Sequence, residues 1–230
     1  MTDESKRLLY LEAMEIDVWL PKTNHGAPIT EHALEKDKPL LSSPSSEAEI
    51  WQELREEVAN CQACDLYKTR TQTVFGTGNT HADWLLIGEA PGQNEDLQGE
   101  PFVGKAGQLL NEMLRAINLS REQVFIANIL KCRPPNNRDP KPEEVSACSD
   151  FLQRQIDLLK PKIILAVGRI AAQQLLKTTE PIGKLRGKVY FLDAIPVIVI
   201  YHPAYLLRSL LEKRKAWQDL QLALKTYREI

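Results

Sequence analysis

No apolar run in the chain approaches the roughly 18 residues that a membrane-spanning helix needs. Met1–Leu20 is too charged for a signal peptide. A cytoplasmic protein is therefore expected. The phosphate-cradling pattern G-x-x-x-x-G-K-[ST] is missing, which argues against a P-loop nucleotide-binding protein. No internal repeat is visible, so the chain is not a repeat array. Cysteine is scarce, with four residues, and no histidine pair stands near them. In a reducing cytosol such cysteines do not read as disulfides.

What is present begins with those cysteines. Cys61, Cys64, Cys132 and Cys148 form a C-x2-C-x67-C-x15-C pattern that uses every cysteine in the chain. A thiolate-only set suits a [4Fe–4S] cluster or a structural zinc, and spacing does not separate the two. The net charge of -2 conceals an asymmetry. Residues 1–60 hold 13 acidic and 6 basic residues, whereas residues 61–230 hold 18 acidic and 23 basic. The larger, mildly basic part is compatible with a polyanionic partner.

Three segments follow from composition. Residues 1–20 read as a short helix and an extended tip, a docking or partner peptide marginal as a helix alone. Residues 21–46, rich in proline, serine and charge, read as a linker. Residues 47–230 read as one globular domain. It opens on a helix capped by Ser46 with Glu49 at the third position. Strand-like runs at Trp84–Ile87, Val124–Leu130, Ile163–Val167 and Val197–Tyr201 alternate with helical segments. Val189–Leu192 is a candidate short edge strand. The pattern predicts a three-layer α/β/α sandwich around a four-stranded, mostly parallel sheet.

The stretch from Gly88 to Leu110, GEAPGQNEDLQGEPFVGKAGQLL, follows the first strand. About 15 residues without structure of their own are uncommon unless functional. Ligands of open α/β sheets bind beyond the carboxyl ends of the strands. Asn128 ends the second strand, Gly168 and Arg169 follow the third, and Tyr201–Arg208 (YHPAYLLR) follows the fourth. The unusual motifs thus gather at one end of the sheet.

These motifs resemble the family 4 uracil-DNA glycosylases of bacteria and archaea. The matching pieces are GEAPG, ED, G-x-PFVG-x-AG-x-LL, N-x-x-KCRPP-x-NR-x-P and HPAYLLR, with the four cysteines, across residues 61–230. Leu210 departs from the pattern, standing where a proline is common. The inserted basic segment of the covalent-trapping relatives is missing. The resemblance implies a [4Fe–4S] cluster on Cys61, Cys64, Cys132 and Cys148. It implies hydrolysis of deoxyuridine in single- or double-stranded DNA by a monomeric, nucleoid-associated enzyme. A non-catalytic iron–sulfur module that only recognises uracil or DNA is the alternative.

For that chemistry the sequence offers Glu89 and Glu95 as carboxylates near the sugar, either of which could instead bind loop amides. His202 is a donor to the uracil O2. Phe102 offers a stacking face, and Asn128 a donor and acceptor for the base edge. Gly88 and Ala90 complete the substrate loop. Leu206 and Leu207 are candidate wedges into the duplex. Arg133, Arg186 and Arg208, with Lys131, Arg138 and Lys184, are candidate phosphate contacts. Outside this region, LEAMEIDVWLP resembles the N-terminal peptide of the clamp-loader psi subunit, which implies a replisome contact through residues 1–20.

Overall fold

The computed structural model describes residues 46–230; the expectations placed on residues 1–45 lie outside the described residues. The strands are β1 (Thr77–Gly78), β2 (Trp84–Gly88), β3 (Phe125–Asn128), β4 (Ile163–Val167), β5 (Val189–Leu192) and β6 (Ile195–Ile200). They form one sheet in the order β1-β3-β2-β4-β6-β5. The four central strands are parallel, and β1 and β5 pair antiparallel at the two edges. The expected four strands are therefore the core of a six-stranded sheet. The missed strand, β1, is two residues long and carries no period.

The helices are α1 (Glu47–Asn60), α2 (Gln93–Gln98), α3 (Lys105–Arg115), α4 (Pro142–Leu159), α5 (Arg169–Leu176), α6 (Ile182–Leu185), α7 (Pro203–Arg208) and α8 (Lys213–Arg228). Strand side chains alternate between two apolar layers, as a period of two requires. Leu85, Ile87, Ile164 and Val199 pack with Leu54 of α1, Ile156 of α4 and Ala172 of α5. Leu86, Ile126, Leu165 and Ile198 pack with Leu114 of α3 and Leu220 of α8. Two helical layers enclose the sheet, and β2, β3 and β4 are buried along their whole length. None of the described helices is long and apolar enough to cross a membrane.

Local signals place the elements. The Ser46–Glu49 capping box starts α1. Pro142 sits in the first turn of α4, where a missing N–H costs nothing. The expected structureless loop after β2 contains α2, which stops at Gly99 in the left-handed region at φ +76°. From β2 the chain goes to β3 on one side and then returns to β4 on the other. That reversal opens a crevice at the carboxyl ends of β2 and β4.

Candidate active site

A cavity of about 760 Å³ occupies this crevice. Of the residues singled out in the sequence, Glu89, Ala90, Glu95, Phe102, Asn128, His202 and Arg208 line it. Gly88 lies just beneath. A Cβ there would stand 2.3 Å from Asn128 Oδ1 and 2.7 Å from Phe102 Cζ, so only glycine lets these two side chains meet over the strand end.

Phe102 is held in an unusual backbone conformation, φ +54°, which a bulky residue adopts only when its surroundings demand it. Glu95 Oε1 accepts the N–H groups of Val103 at 3.0 Å and Gly104 at 3.2 Å, just after it. The Arg121 guanidinium donates to the carbonyls of Pro101 and Phe102, just before and at it. Gly107 closes the frame, because a Cβ there would lie 1.7 Å from Phe102 O. The ring is 7% exposed and lies 5.6 Å from the His202 ring, with the planes 29° apart.

His202 caps α7, its Nδ1 accepting the Ala204 N–H at 3.1 Å. Burial, reinforced by Arg208, pushes its pKa down to about 4. The ring is neutral at physiological pH and carries its proton on Nε2. Asn128, at the end of β3, is 2% exposed. Its side-chain amide makes no hydrogen bond among the described residues, which leaves a donor and an acceptor for a ligand.

The two carboxylates differ. Glu95 is committed to the loop amides. Glu89 has no hydrogen-bonded side-chain partner among the described residues. Burial raises its pKa to about 7, and the Asp139 carboxylate adds to the rise while Arg169 opposes it. Asp96, the third acid of the loop, accepts the Thr71 N–H at 2.9 Å and hydroxyl at 2.8 Å. It ties α2 to the segment following the first two cysteines.

Around the rim stand Arg138, Arg169 and Arg208. Arg138 pairs with Glu144 and Arg169 with Asp139. No ion pair holds Arg208 among the described residues. Several expectations need correction. Leu206 is 1% exposed and packs under α7 against the sheet, so it is no wedge; Leu207, 42% exposed, faces outward. Arg186 is bound through Nε and Nη2 to the Asp219 carboxylate, both bonds 2.9 Å, and is not free for phosphate. Lys131 is buried, donating from Nζ to Asn128 O at 2.9 Å and Gln155 Oε1 at 2.6 Å. Arg133 lies off the cavity with Nε on Asn137 Oδ1 at 2.7 Å, and Lys184 is exposed and also off it. Arg121 carried no sequence signal, whereas Arg169 was marked by its place after β4.

The profile of the Uracil DNA glycosylase superfamily matches residues 75–221, which span the whole cavity. The chain belongs to that superfamily. Its curated relatives include type-4 and type-5 uracil-DNA glycosylases. The Type-4 uracil-DNA glycosylase of Archaeoglobus fulgidus is 51% identical over 159 residues, 66% of this chain and 80% of the relative. That of Saccharolobus solfataricus is 49% identical over 160 residues, 66% and 74% of the two chains. That of Sulfurisphaera tokodaii is 44% identical over 191 residues, 76% and 87%.

In this glycosylase-superfamily chain the four cysteines line a second, small pocket between α1, the Leu130–Cys132 segment and α4. Cys132 and Cys148 are buried, and burial raises both thiols, Cys148 to about 11. Cys148 Sγ accepts the Lys131 N–H at 3.3 Å, and Arg70 donates to Cys132 Sγ at 3.2 Å. Among the described residues, no three Cys, His, Asp or Glu side chains converge as they would on a single metal ion. Lys131 thus joins the two pockets, its N–H on Cys148 and its ammonium on the carbonyl of Asn128.

Proposed function

We propose that this chain is a DNA-repair glycosylase that hydrolyses the N-glycosidic bond of deoxyuridine, releasing uracil and leaving an abasic site. The observation that carries this reading is the convergence of Phe102, Asn128, His202 and Glu89 on one cavity at the strand ends. The type-4 relatives support it by name. A base must leave the stack to reach such a cavity. Phe102 then offers its face to the pyrimidine, and the Asn128 amide pairs with the O4 and N3–H edge.

Bond breaking leaves negative charge on uracil and positive charge on the sugar. His202, neutral with its proton on Nε2, donates to O2 as charge builds there. Glu89 is the carboxylate that faces the sugar and accepts the proton of the attacking water; a pKa near 7 suits that exchange. Glu95 positions Phe102 from behind. Leu207 enters the space the base vacates, and Arg208 meets phosphate.

Cys61, Cys64, Cys132 and Cys148 would hold a [4Fe–4S] cluster. Four cysteine thiols lining one pocket are the donor set that such a cluster takes. The cluster would staple α1 to the Lys131–Cys132 segment and α4. The resemblance of LEAMEIDVWLP to a clamp-loader peptide supports a replisome contact through residues 1–20, which a pull-down with and without them tests: unchanged partners remove the idea. For the activity, an oligonucleotide with a single uracil should break at that position after enzyme and then alkali. An intact oligonucleotide at excess enzyme would sink the reading.

A further inference from the structure

Arg169 opens α5, directly after Gly168 at the carboxyl end of β4, and lines the cavity with Glu89, near enough that its charge acts on the Glu89 carboxyl. Its Nη2 donates to Asp139 Oδ2 at 2.6 Å, and its Nη1 reaches Gln173 Oε1 at 3.3 Å. Asp139 belongs to the loop before α4 and also lines the cavity. The pair bridges two elements across the mouth, yet both side chains are largely exposed, 48% and 63%. An exposed pair of this kind adds little stability, so it breaks readily when a better anion arrives.

The other rim cations do not share this arrangement. Arg138 is locked on Glu144, a carboxylate 5% exposed that also accepts the Lys141 N–H at 2.9 Å. Breaking that pair would strand a buried charge. Asp139 is held by nothing comparable; its carboxylate bonds only Arg169 among the described residues. A carboxylate beside a guanidinium at the mouth of a cavity occupies the place a phosphate takes, because both anions match the same fork of donors.

We infer that Asp139 is a stand-in anion for Arg169, and that a DNA phosphate flanking the extruded nucleotide displaces it. The inference rests on the reading of the cavity as a glycosylase pocket. It makes Arg169 a substrate-binding residue whose affinity for DNA is held down by its own neighbour. It makes Asp139 a specificity element: backbone phosphates that do not reach the mouth leave the pair closed.

The test is a double-mutant cycle on the full chain. Kd is measured for a duplex with one tetrahydrofuran abasic site and for the matched undamaged duplex, over a salt series. Arg169→Gln should weaken abasic-site binding about tenfold and reduce the salt slope by about one. Asp139→Asn should tighten it about threefold in the native background and leave it unchanged in the Arg169→Gln background. Equal tightening in both backgrounds would mean simple charge repulsion, and would overturn the inference. Weakening by both single variants would mean a structural bridge, and would overturn it too. Uracil release by the native chain is assayed alongside. Release without coupling removes this inference alone, whereas no release removes the glycosylase reading beneath it.

Discussion

His202 Nδ1 accepts the backbone N–H of Ala204 at 3.1 Å, and this one bond decides what the imidazole can do. A lone pair spent on the helix cap leaves Nε2 as the protonated nitrogen, and burial keeps the ring from gaining a second proton until about pH 4. Ring ¹⁵N shifts should therefore show a single neutral tautomer from pH 5 to 8. Replacing His202 by Ala should cost about 10²–10³ in kcat, the scale of one lost oxyanion donor. A ring that titrates near its ordinary value would contradict the assignment.

In the proposed mechanism, with His202 silent, the acid limb of the activity belongs to Glu89. Its carboxyl ionises near 7, so activity that needs the carboxylate should fall about tenfold per pH unit below that value. Glu89→Gln should abolish both the activity and the limb. Stability runs the other way. The folded-state pKa lies above the ordinary 4.5, so the folded chain holds its proton more tightly and loses stability as pH rises from about 4.5 to 7. Glu89→Gln removes that loss. Its melting temperature should exceed that of the native chain at pH 8 and match it at pH 4.

Glu95 and Arg121 act on Phe102 from opposite sides of the same turn. Glu95→Ala would leave the Val103 and Gly104 amides without their acceptor, and Arg121→Gln would weaken the hold on Pro101 and Phe102. Either variant should raise KM for a single-uracil oligonucleotide and lower kcat while keeping the acid limb near pH 7. Loss of that limb in Glu95→Ala would exchange the roles given to the two glutamates. Gly107→Ala is harsher, because the new Cβ meets a backbone oxygen that cannot move alone. Its activity should be lost, with a lower melting temperature.

Much of this site was legible because its parts end strands. Gly88, Asn128, Gly168 and His202 follow or close apolar runs that only a buried strand explains, and the sheet brings such ends together. Hidden parts were those settled by pairing across the chain. In the sequence Arg186 reads as a candidate phosphate contact, whereas in the fold Asp219 of α8 binds it. Leu206 and Leu207 are equivalent in sequence, but α7 turns one to the sheet and the other to solvent. Glu89 and Glu95 are separated by the backbone amides that Glu95 reaches and by the burial that raises the pKa of Glu89.

Arg70 supplies the last prediction. Its Nη1 donates to both Cys132 Sγ at 3.2 Å and Cys61 O at 2.9 Å, and its Nη2 to Ala59 O at 3.0 Å. One guanidinium thus gathers the end of α1, one cysteine by its carbonyl and another by its sulfur. A thiolate bearing a charge-assisted hydrogen bond is a better-held ligand, and such outer partners tune a site's affinity about 10–100-fold. On the proposed assignment of a [4Fe–4S] cluster to the four cysteines, Arg70→Gln should purify with less iron per chain and weaker visible absorbance than the native protein, and should lose its remaining iron faster to a chelator. The melting temperature should fall with iron content. A variant with full iron content and unchanged release kinetics would show that Arg70 serves only the α1 terminus.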